Sequence, residues 1–478
     1  MTRFLDLLRA ELPERAVVTD PQAIAPWLVD WRGRYRGQAT ALVEPATTAE
    51  IAAVVRAAAE TRTPLVPQGG NTSMVGGATP DDTGAAALLS LRRLNRIRSV
   101  DAQANIAVAE AGVILQTLND AALEHGRRFP LTLGARGSAT IGGLVSTNAG
   151  GTQVLRFGTM RGLVAGLEAV MADGSVHDGL TALPKDNRGY NLDQLLIGAE
   201  GTLGIVTAAA LRLVPAVTAR GVAWAGLRSP EVALALLRRL QARTDAVESF
   251  EILPAGSLRA VLAHLPGSRA PLGGEHPWHV LIEATTPDGQ GEGPVALLER
   301  LLGEALEAGL ADDAVVAASE GQADAFWTIR DSISAAERAQ GPATQHDISV
   351  PVTAMPRFMV EAAAACEARF PGTHASGFGH LGDGNVHFHV RAPAGVDAER
   401  WYAEDAPAVT RFVHDLVTAA GGSISAEHGI GQMKLDELAR LLPPARGNAM
   451  RAIKAALDPL GILNPGKLVP LAPGPGPT

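Results

Sequence analysis

Leu133–Gly151 reads LGARGSATIGGLVSTNAGG, with six glycines interleaved with Ser and Thr. Glycine is entropically costly to fix, and a purely structural loop rarely needs so many points of close backbone approach. A second segment, Pro67–Pro80, reads PQGGNTSMVGGATP and follows an apolar strand over Pro64–Val66. Such a loop can turn several backbone N–H groups toward one anion, and it lacks the lysine of a Walker loop. A tight surface loop is the lesser alternative for this segment alone; two such loops together point to a long ligand such as a dinucleotide.

Around these segments, from about Gly37 to Ala216, short strands (TALVEP, TPLVPQ, IAVAEAGV, LEAVMADGSV, GIVTAAALRLV) alternate with helical stretches such as Ala49–Ala59. That pattern predicts a first, mixed domain over 38–217, preceded by a helical segment over 1–37. Long amphipathic helices then alternate with strands such as WHVLIEAT and VHFHV. The helices are expected at Pro230–Thr244, Pro294–Gly309 and Met355–Ala368. They predict a second domain over 218–440, of antiparallel sheet covered by helices, and the fold class is α+β. A last helix near Asn448–Leu457 and the turn-rich LNPGKLVP fall in a C-terminal segment, 441–470, and the Pro/Gly-rich tail 471–478 is expected to be disordered.

Composition agrees with two domains, since 478 residues exceed what one core supports. Apolar residues make up 46% and charged residues 19%, and no run approaches the ~18 apolar residues of a membrane helix. The N-terminal MTRFLDLLRAELPERAV reads as an amphipathic surface helix of a cytoplasmic protein rather than a secretory signal. Cys366 is the only cysteine, which excludes an intrachain disulfide and a cysteine-held cluster. A net charge of -9 without a basic run argues against nucleic acid and for a small-molecule ligand.

Six of the twelve histidines lie between His374 and His428. In GHLGDGNVHFHV, Asp383-Gly384 predicts a two-residue hairpin turn with His380 opposite His387 and His389 on the same face. Val386, Phe388 and Val390 then point into a core. SISAEHGIG supplies Glu427 and His428. Two His and one carboxylate leave coordination positions open, as catalytic metal sites do, whereas separately satisfied core histidines are the alternative. Gly377, Gly379 and Gly382 satisfy GxGxxG, but no buried strand is expected before them and a strand rather than a helix after them, so a nicotinamide dinucleotide is not expected there.

Seven motifs, PQGGNTSMVGG, GSATIGGLVSTNAGG, DNRGYNLDQLLIGAEGTLGIVT, WTIRDSIS, GHLGDGNVHFHV, SAEHGIG and LNPGK, resemble the FAD-linked oxidoreductases of the vanillyl-alcohol oxidase superfamily. Within it they are similar to the D-2-hydroxyglutarate and D-lactate dehydrogenase group, over about Thr40–Pro470. The resemblance implies a first domain of the vanillyl-alcohol oxidase type that holds FAD. Pro67, Gly69, Gly70, Asn71, Thr72 and Ser73 are then at the pyrophosphate. Gly76, Gly134, Ser138, Gly142, Gly143, Asn148, Glu200, Gly204 and Ile205 lie around the cofactor, and Asn464 and Lys467 return to it from the C-terminus. Gln68 stands where a covalent attachment would need a His or Cys, so the flavin is expected to be non-covalent. The resemblance further implies a divalent ion, expected to be zinc, on His380, His387 and Glu427, with His428 as catalytic base. Arg330, Ser334, Gln345 and His389 are carried over as substrate-binding. Ser334 replaces an expected Thr, Gln345 a Lys and His389 an Asn, which leaves the particular D-2-hydroxy acid open. D-lactate or glycolate oxidation is the alternative within the class, and a metal-dependent hydrolase or a non-enzymatic nucleotide-binding subunit the alternatives outside it. An electron-transfer flavoprotein or quinone is the expected electron acceptor, and a homodimer the expected assembly.

Overall fold

The computed structural model describes residues 2–181, 183–286 and 291–469. The tail expected to be disordered, 471–478, lies outside the described residues. The chain divides into two compact units: Met1–Gly150, Gly158–Pro215 and Glu427–Thr478 form the first, Gly151–Phe157 and Ala216–Ala426 the second.

In the first unit, β1 (Val17–Val18), β2 (Ala41–Val43), β3 (Leu65–Gln68) and β4 (Ala87–Ser90) form a sheet in the order β1-β2-β4-β3, parallel except at β1. The helix Thr48–Thr61 links β2 to β3. The Thr47 hydroxyl caps it by accepting the Glu50 N–H, and Ile51, Val54, Val55 and Ala58 give it a buried stripe at helical spacing. A second, antiparallel sheet runs β5-β6-β10-β8-β9, made of β5 (Ile97–Asp101), β6 (Ile106–Glu110), β8 (Val164–Val170), β9 (Val176–Asp178) and β10 (Ile205–Arg212). Between them in the chain, β7 (Arg127–Arg128) pairs with β11 (Val214–Pro215).

The second unit holds one seven-stranded antiparallel sheet in the order β15-β12-β14-β13-β17-β18-β16. Its strands are β12 (Ala219–Leu227), β13 (Val247–Pro254), β14 (Trp278–Thr286), β15 (Asp313–Val316), β16 (Ala343–Ser349), β17 (His374–His380) and β18 (Asn385–Arg391). This is the helix-covered antiparallel sheet expected from the sequence. One face packs on helices Pro230–Gln241, Pro294–Glu307, Met355–Arg369 and Ala406–Ala419, and Val386, Phe388 and Val390 are fully buried in that layer, as the alternation predicted. The opposite face packs on Ala255–His264, Glu320–Asp331 and Ile333–Ala339 around Trp224, Leu253 and Phe378, and it carries the polar residues.

The hairpin differs from its predicted register. Its turn is the four residues Leu381–Gly384, so His380 pairs with Asn385, and Phe378, not His380, stands opposite His387. The cause is local: the Leu381 N–H donates to the Phe250 carbonyl, and the Asp383 carboxylate accepts the Asn385 N–H, which spends Asp383-Gly384 inside a wider loop. Gly384 has φ +83°, and a Cβ there would lie 2.1 Å from the Val350 carbonyl oxygen. A shift of two residues preserves the face, so His380 and His387 remain on one side as diagonal rather than direct neighbours. Gly377 and Gly379 of the GxGxxG match lie inside β17, which begins at His374, earlier than expected; β18 follows the turn directly, so the helix that a dinucleotide would need is missing between them.

Candidate functional site

In the second unit, His380 and His387 bring their rings to 5.4 Å between centroids. Behind them lies Glu251 of β13, a residue that no sequence motif singles out. Its Oε1 accepts from His380 Nδ1 at 2.6 Å, and its Oε2 accepts from Arg330 Nε at 2.7 Å. Burial pushes the Glu251 carboxyl up, but the Arg330 and His380 charges beside it prevail and hold it below the usual carboxylate range. Arg330, at the end of helix Glu320–Asp331, is therefore engaged by a protein carboxylate, and its Nη2 is 3.3 Å from His380 Nε2. Beside the pair, Asn385 Nδ2 donates to Asp347 Oδ1 at 3.0 Å, and burial pushes the Asp383 carboxyl up.

Along the same face, one register pair farther out, His389 lies opposite Gln345 on one side and Ser376 on the other. His389 Nδ1 bonds to Glu337 Oε2, while Glu337 Oε1 accepts from Ser257 Oγ at 2.6 Å. Ser334, half-buried, sits on the same short helix as Glu337, Ile333–Ala339. Thus Arg330, Ser334, Gln345, His380, His387 and His389 all belong to the helix-covered polar side of one sheet. Glu251 and Glu337 were detectable in principle: a carboxylate in an otherwise apolar strand such as VESFEILP must find a partner when buried.

In the first unit the two glycine-rich segments meet. A Cβ at Gly69 would lie 2.2 Å from Thr140 Oγ1, and one at Gly70 would lie 1.9 Å from the Ser138 carbonyl oxygen. Arg92 holds the Gly69 and Gly70 carbonyls at 3.0 and 3.3 Å, and the Asn71 side chain is anchored on the Val29 carbonyl. Among the described residues none of the five backbone N–H groups from Gly69 to Ser73 donates a hydrogen bond, and buried Thr140 Oγ1 has no partner. Unspent N–H groups on a glycine loop, beside a short helix that begins at Ile141, are donors that could hold a pyrophosphate. Gly134 has open space where a Cβ would stand. The donor set fits FAD.

Other expected cofactor residues have duties within the protein. Gly142 packs on Ala111, Asn148 Oδ1 accepts the Arg161 N–H, Gly204 faces Leu196 and Met171, and Ile205 is buried in the core cluster with Ile51 and Val170. Gly76 faces Tyr35 and Gln432. Glu200 is buried at φ +52°, and its two oxygens accept the Ile430 and Gly431 N–H groups, each at 2.7 Å. Glu200 thereby grips the loop that begins with Glu427 and His428. Burial raises its carboxyl, against the pull of those N–H groups and of Lys434 and Lys467. Asn464 Nδ2 ties the C-terminal segment to the Gly77 and Glu200 carbonyls, and Lys467 is buried nearby. Gln68 donates to the Trp27 and Ala78 carbonyls.

Comparison with known proteins agrees with both halves. Residues 39–179 match the FAD binding domain family, and residues 217–468 match the C-terminal domain of FAD linked oxidases. The chain is 38% identical over 472 residues to the mitochondrial D-2-hydroxyglutarate dehydrogenase of Bos taurus, covering 98% of this chain and 83% of that one. It is 35% identical to the D-2-hydroxyglutarate dehydrogenase of Xanthomonas citri pv. viticola, covering 98% and 96%. Among solved structures, p-cresol methylhydroxylase with substrate bound shares the fold at a TM-score of 0.74 and 16% identity, over 98% of this chain and 96% of that one.

Proposed function

Because this chain belongs to the FAD-linked oxidases, in the group that includes the D-2-hydroxyglutarate dehydrogenases, and is an FAD-dependent oxidoreductase, we propose that it oxidises a D-2-hydroxy acid to the 2-oxo acid, with D-2-hydroxyglutarate or a close relative as substrate. FAD, bound without a covalent link, supplies the acceptor for the hydride that leaves C2. The loop Gly69–Ser73 binds its pyrophosphate through the unspent N–H groups.

The observation that carries the reading of the second unit is the Glu251–His380–His387 arrangement. A carboxylate on Nδ1 orients the ring and, in the neutral imidazole, assigns Nε2, which Arg330 Nη2 approaches to 3.3 Å, as the nitrogen for a metal. His387 is the second ligand in this reading and Glu427 the third. Glu427 is bonded to Ala426, whose N–H donates to the Asp347 carbonyl at 3.3 Å. Two imidazoles and one carboxylate suit zinc with open positions, and such an ion supplies Lewis acidity toward the C2 hydroxyl. His428 accepts the hydroxyl proton, and Glu200 keeps the loop that carries it in place. Arg330, Ser334, Gln345 and His389 orient the rest of the substrate; Arg330 has to share its guanidinium between Glu251 and a substrate carboxylate.

Gln345, where the resembling group has lysine, favours a second reading with a shorter acid, D-lactate or glycolate. The hydrolase and non-enzymatic readings lapse with membership of the oxidase family. An electron-transfer flavoprotein or quinone as acceptor, a homodimer and a cytoplasmic location remain proposals; among the described residues no helix is long and apolar enough to cross a membrane. The deciding experiment is anaerobic bleaching of the flavin by D- and L-enantiomers of 2-hydroxyglutarate, malate and lactate, with achiral glycolate alongside. Rapid bleaching by D-acids alone is expected. Bleaching by none of them, or by L-acids equally well, would refute the assignment.

A further inference from the structure

Beyond His389, the polar face of the second unit ends in a cavity of about 270 Å³ lined by Ser257, Arg259, Glu337, His374, His389 and Arg391 among others. Its anionic group is already committed. Glu337 accepts from His389 at Oε2 and from Ser257 and Ser376 at Oε1. His374 Nδ1 is 3.1 Å from Glu367 Oε1. The two guanidiniums have no such counter-charge. Arg259 makes no hydrogen bond or ion pair among the described residues, and Arg391 meets only the neutral amide oxygen of Gln340. Two arginines without a carboxylate, converging on one concave polar space, form a receptor for an anion.

The position of the cavity says which anion. It borders the register pair Gln345–His389, and Arg391 follows His387 by four residues on β18, about 14 Å at the antiparallel rise of roughly 3.4 Å per residue. A five-carbon diacid has four carbon–carbon bonds of roughly 1.5 Å and spans at most about 6 Å, so its tail stops near Gln345 and His389. Each further methylene carries the distal carboxylate toward the arginines. Phe378 sets its ring 5.2 Å from His387 and 5.3 Å from His389, an apolar surface beside the stretch between the two histidines.

We propose that this cavity binds the distal carboxylate of 2-hydroxy dicarboxylates longer than five carbons, through Arg259 and Arg391; the inference rests on the reading that places a 2-hydroxy acid at His380 and His387. Titration calorimetry of the FAD-loaded and metal-loaded protein with glutarate and suberate tests it, because neither diacid carries the hydroxyl that would be oxidised. Suberate should bind about ten- to a hundredfold more tightly, the worth of one charged hydrogen-bonded pair. Arg259→Ala, an exposed helix position, and Arg391→Ala should each reduce that advantage at least severalfold and leave glutarate unchanged. Equal affinity for the two diacids, or an advantage intact in both variants, overturns the proposal. Acetate bound as tightly as suberate and lost in the same variants would make this a free-anion site and overturn the substrate-tail reading. If D-2-hydroxyglutarate and D-2-hydroxysuberate both leave the flavin oxidised, the proposed activity fails, while the diacid titration still judges the cavity.

Discussion

Glu251→Gln removes one charge from a buried cluster of the second unit. The carboxylate is 1% exposed, and its neighbours Arg330 and His380 have side chains 13% and 8% exposed. Glutamine keeps the shape but has one acceptor oxygen for two donors, so its Nε2 must face an N–H of Arg330 or of His380. Removing one partner of a buried ion pair typically costs about 3–5 kcal/mol, because the other charge stays buried and uncompensated. Arg330 retains Asp331, 3.7 Å away and largely exposed, so the expected loss is near the lower bound, about 3 kcal/mol. The loss should depend on pH in one direction. Glu251 titrates below its ordinary 4.5 in the folded chain, so its stabilisation is complete above the ordinary carboxylate range and disappears as pH falls through the depressed folded value. Urea unfolding followed by tryptophan fluorescence, at neutral pH and in steps into acid, measures both. A variant within 1 kcal/mol of the parent at neutral pH, or a difference that does not narrow in acid, would show that the Glu251 charge does not hold this site together.

Acid precipitation should release all flavin as FAD, since Gln68 offers no attachment and Cys366 is a buried thiol that burial pushes up to about 12; flavin retained in the pellet would contradict this. His380→Ala and His387→Ala should lose bound metal, measured by elemental analysis, while the flavin spectrum stays near parental, because both side chains belong to the second unit and the glycine cradle to the first. Glu200→Gln leaves one of two loop N–H groups facing an amide donor, and hydrogen bonds to charged groups contribute about 1.5–3 kcal/mol each. Its flavin should stay bound while proteolysis within 427–433 speeds up by roughly tenfold or more; an unchanged cleavage rate would remove Glu200 as the anchor. Gln345→Lys should raise kcat/KM for D-2-hydroxyglutarate about ten- to a hundredfold relative to D-lactate, and an unchanged ratio would show that position 345 does not face the substrate.

Local chemistry made much of this legible. The capped, Ala-rich helix Thr48–Thr61 and the strands Trp278–Thr286 and Asn385–Arg391 were expected within a few residues of where they occur, because their apolar periods, caps and turns all favour the same element. The hairpin register was less legible because it is decided from outside. Asp383-Gly384 favours a two-residue turn in isolation, but the Phe250 carbonyl on β13 takes the Leu381 N–H and widens it. The histidines kept their common face only because the slip was an even number of residues.

The acids behind the site were hidden for a related reason. In VESFEILP every residue but the last is buried, so no alternation separates the inward face of Glu251 from the apolar positions around it. Its partners come from helix Glu320–Asp331 and from β17, 79 and 129 residues farther along the chain. The sequence gives the presence of each charge, whereas their pairing depends on the strand order β13-β17-β18-β16, in which chain neighbours are mostly not sheet neighbours. Arg330 illustrates the consequence: a residue expected to hold a substrate carboxylate is held by a protein carboxylate first. The proposed substrate carboxylate would have to compete with, or rest upon, the Glu251 pair. The same carboxylate orients His380, so a shift of Arg330 toward a substrate changes the charge felt by the proposed metal-ligating imidazole, and substrate affinity and metal affinity are expected to be coupled through Glu251.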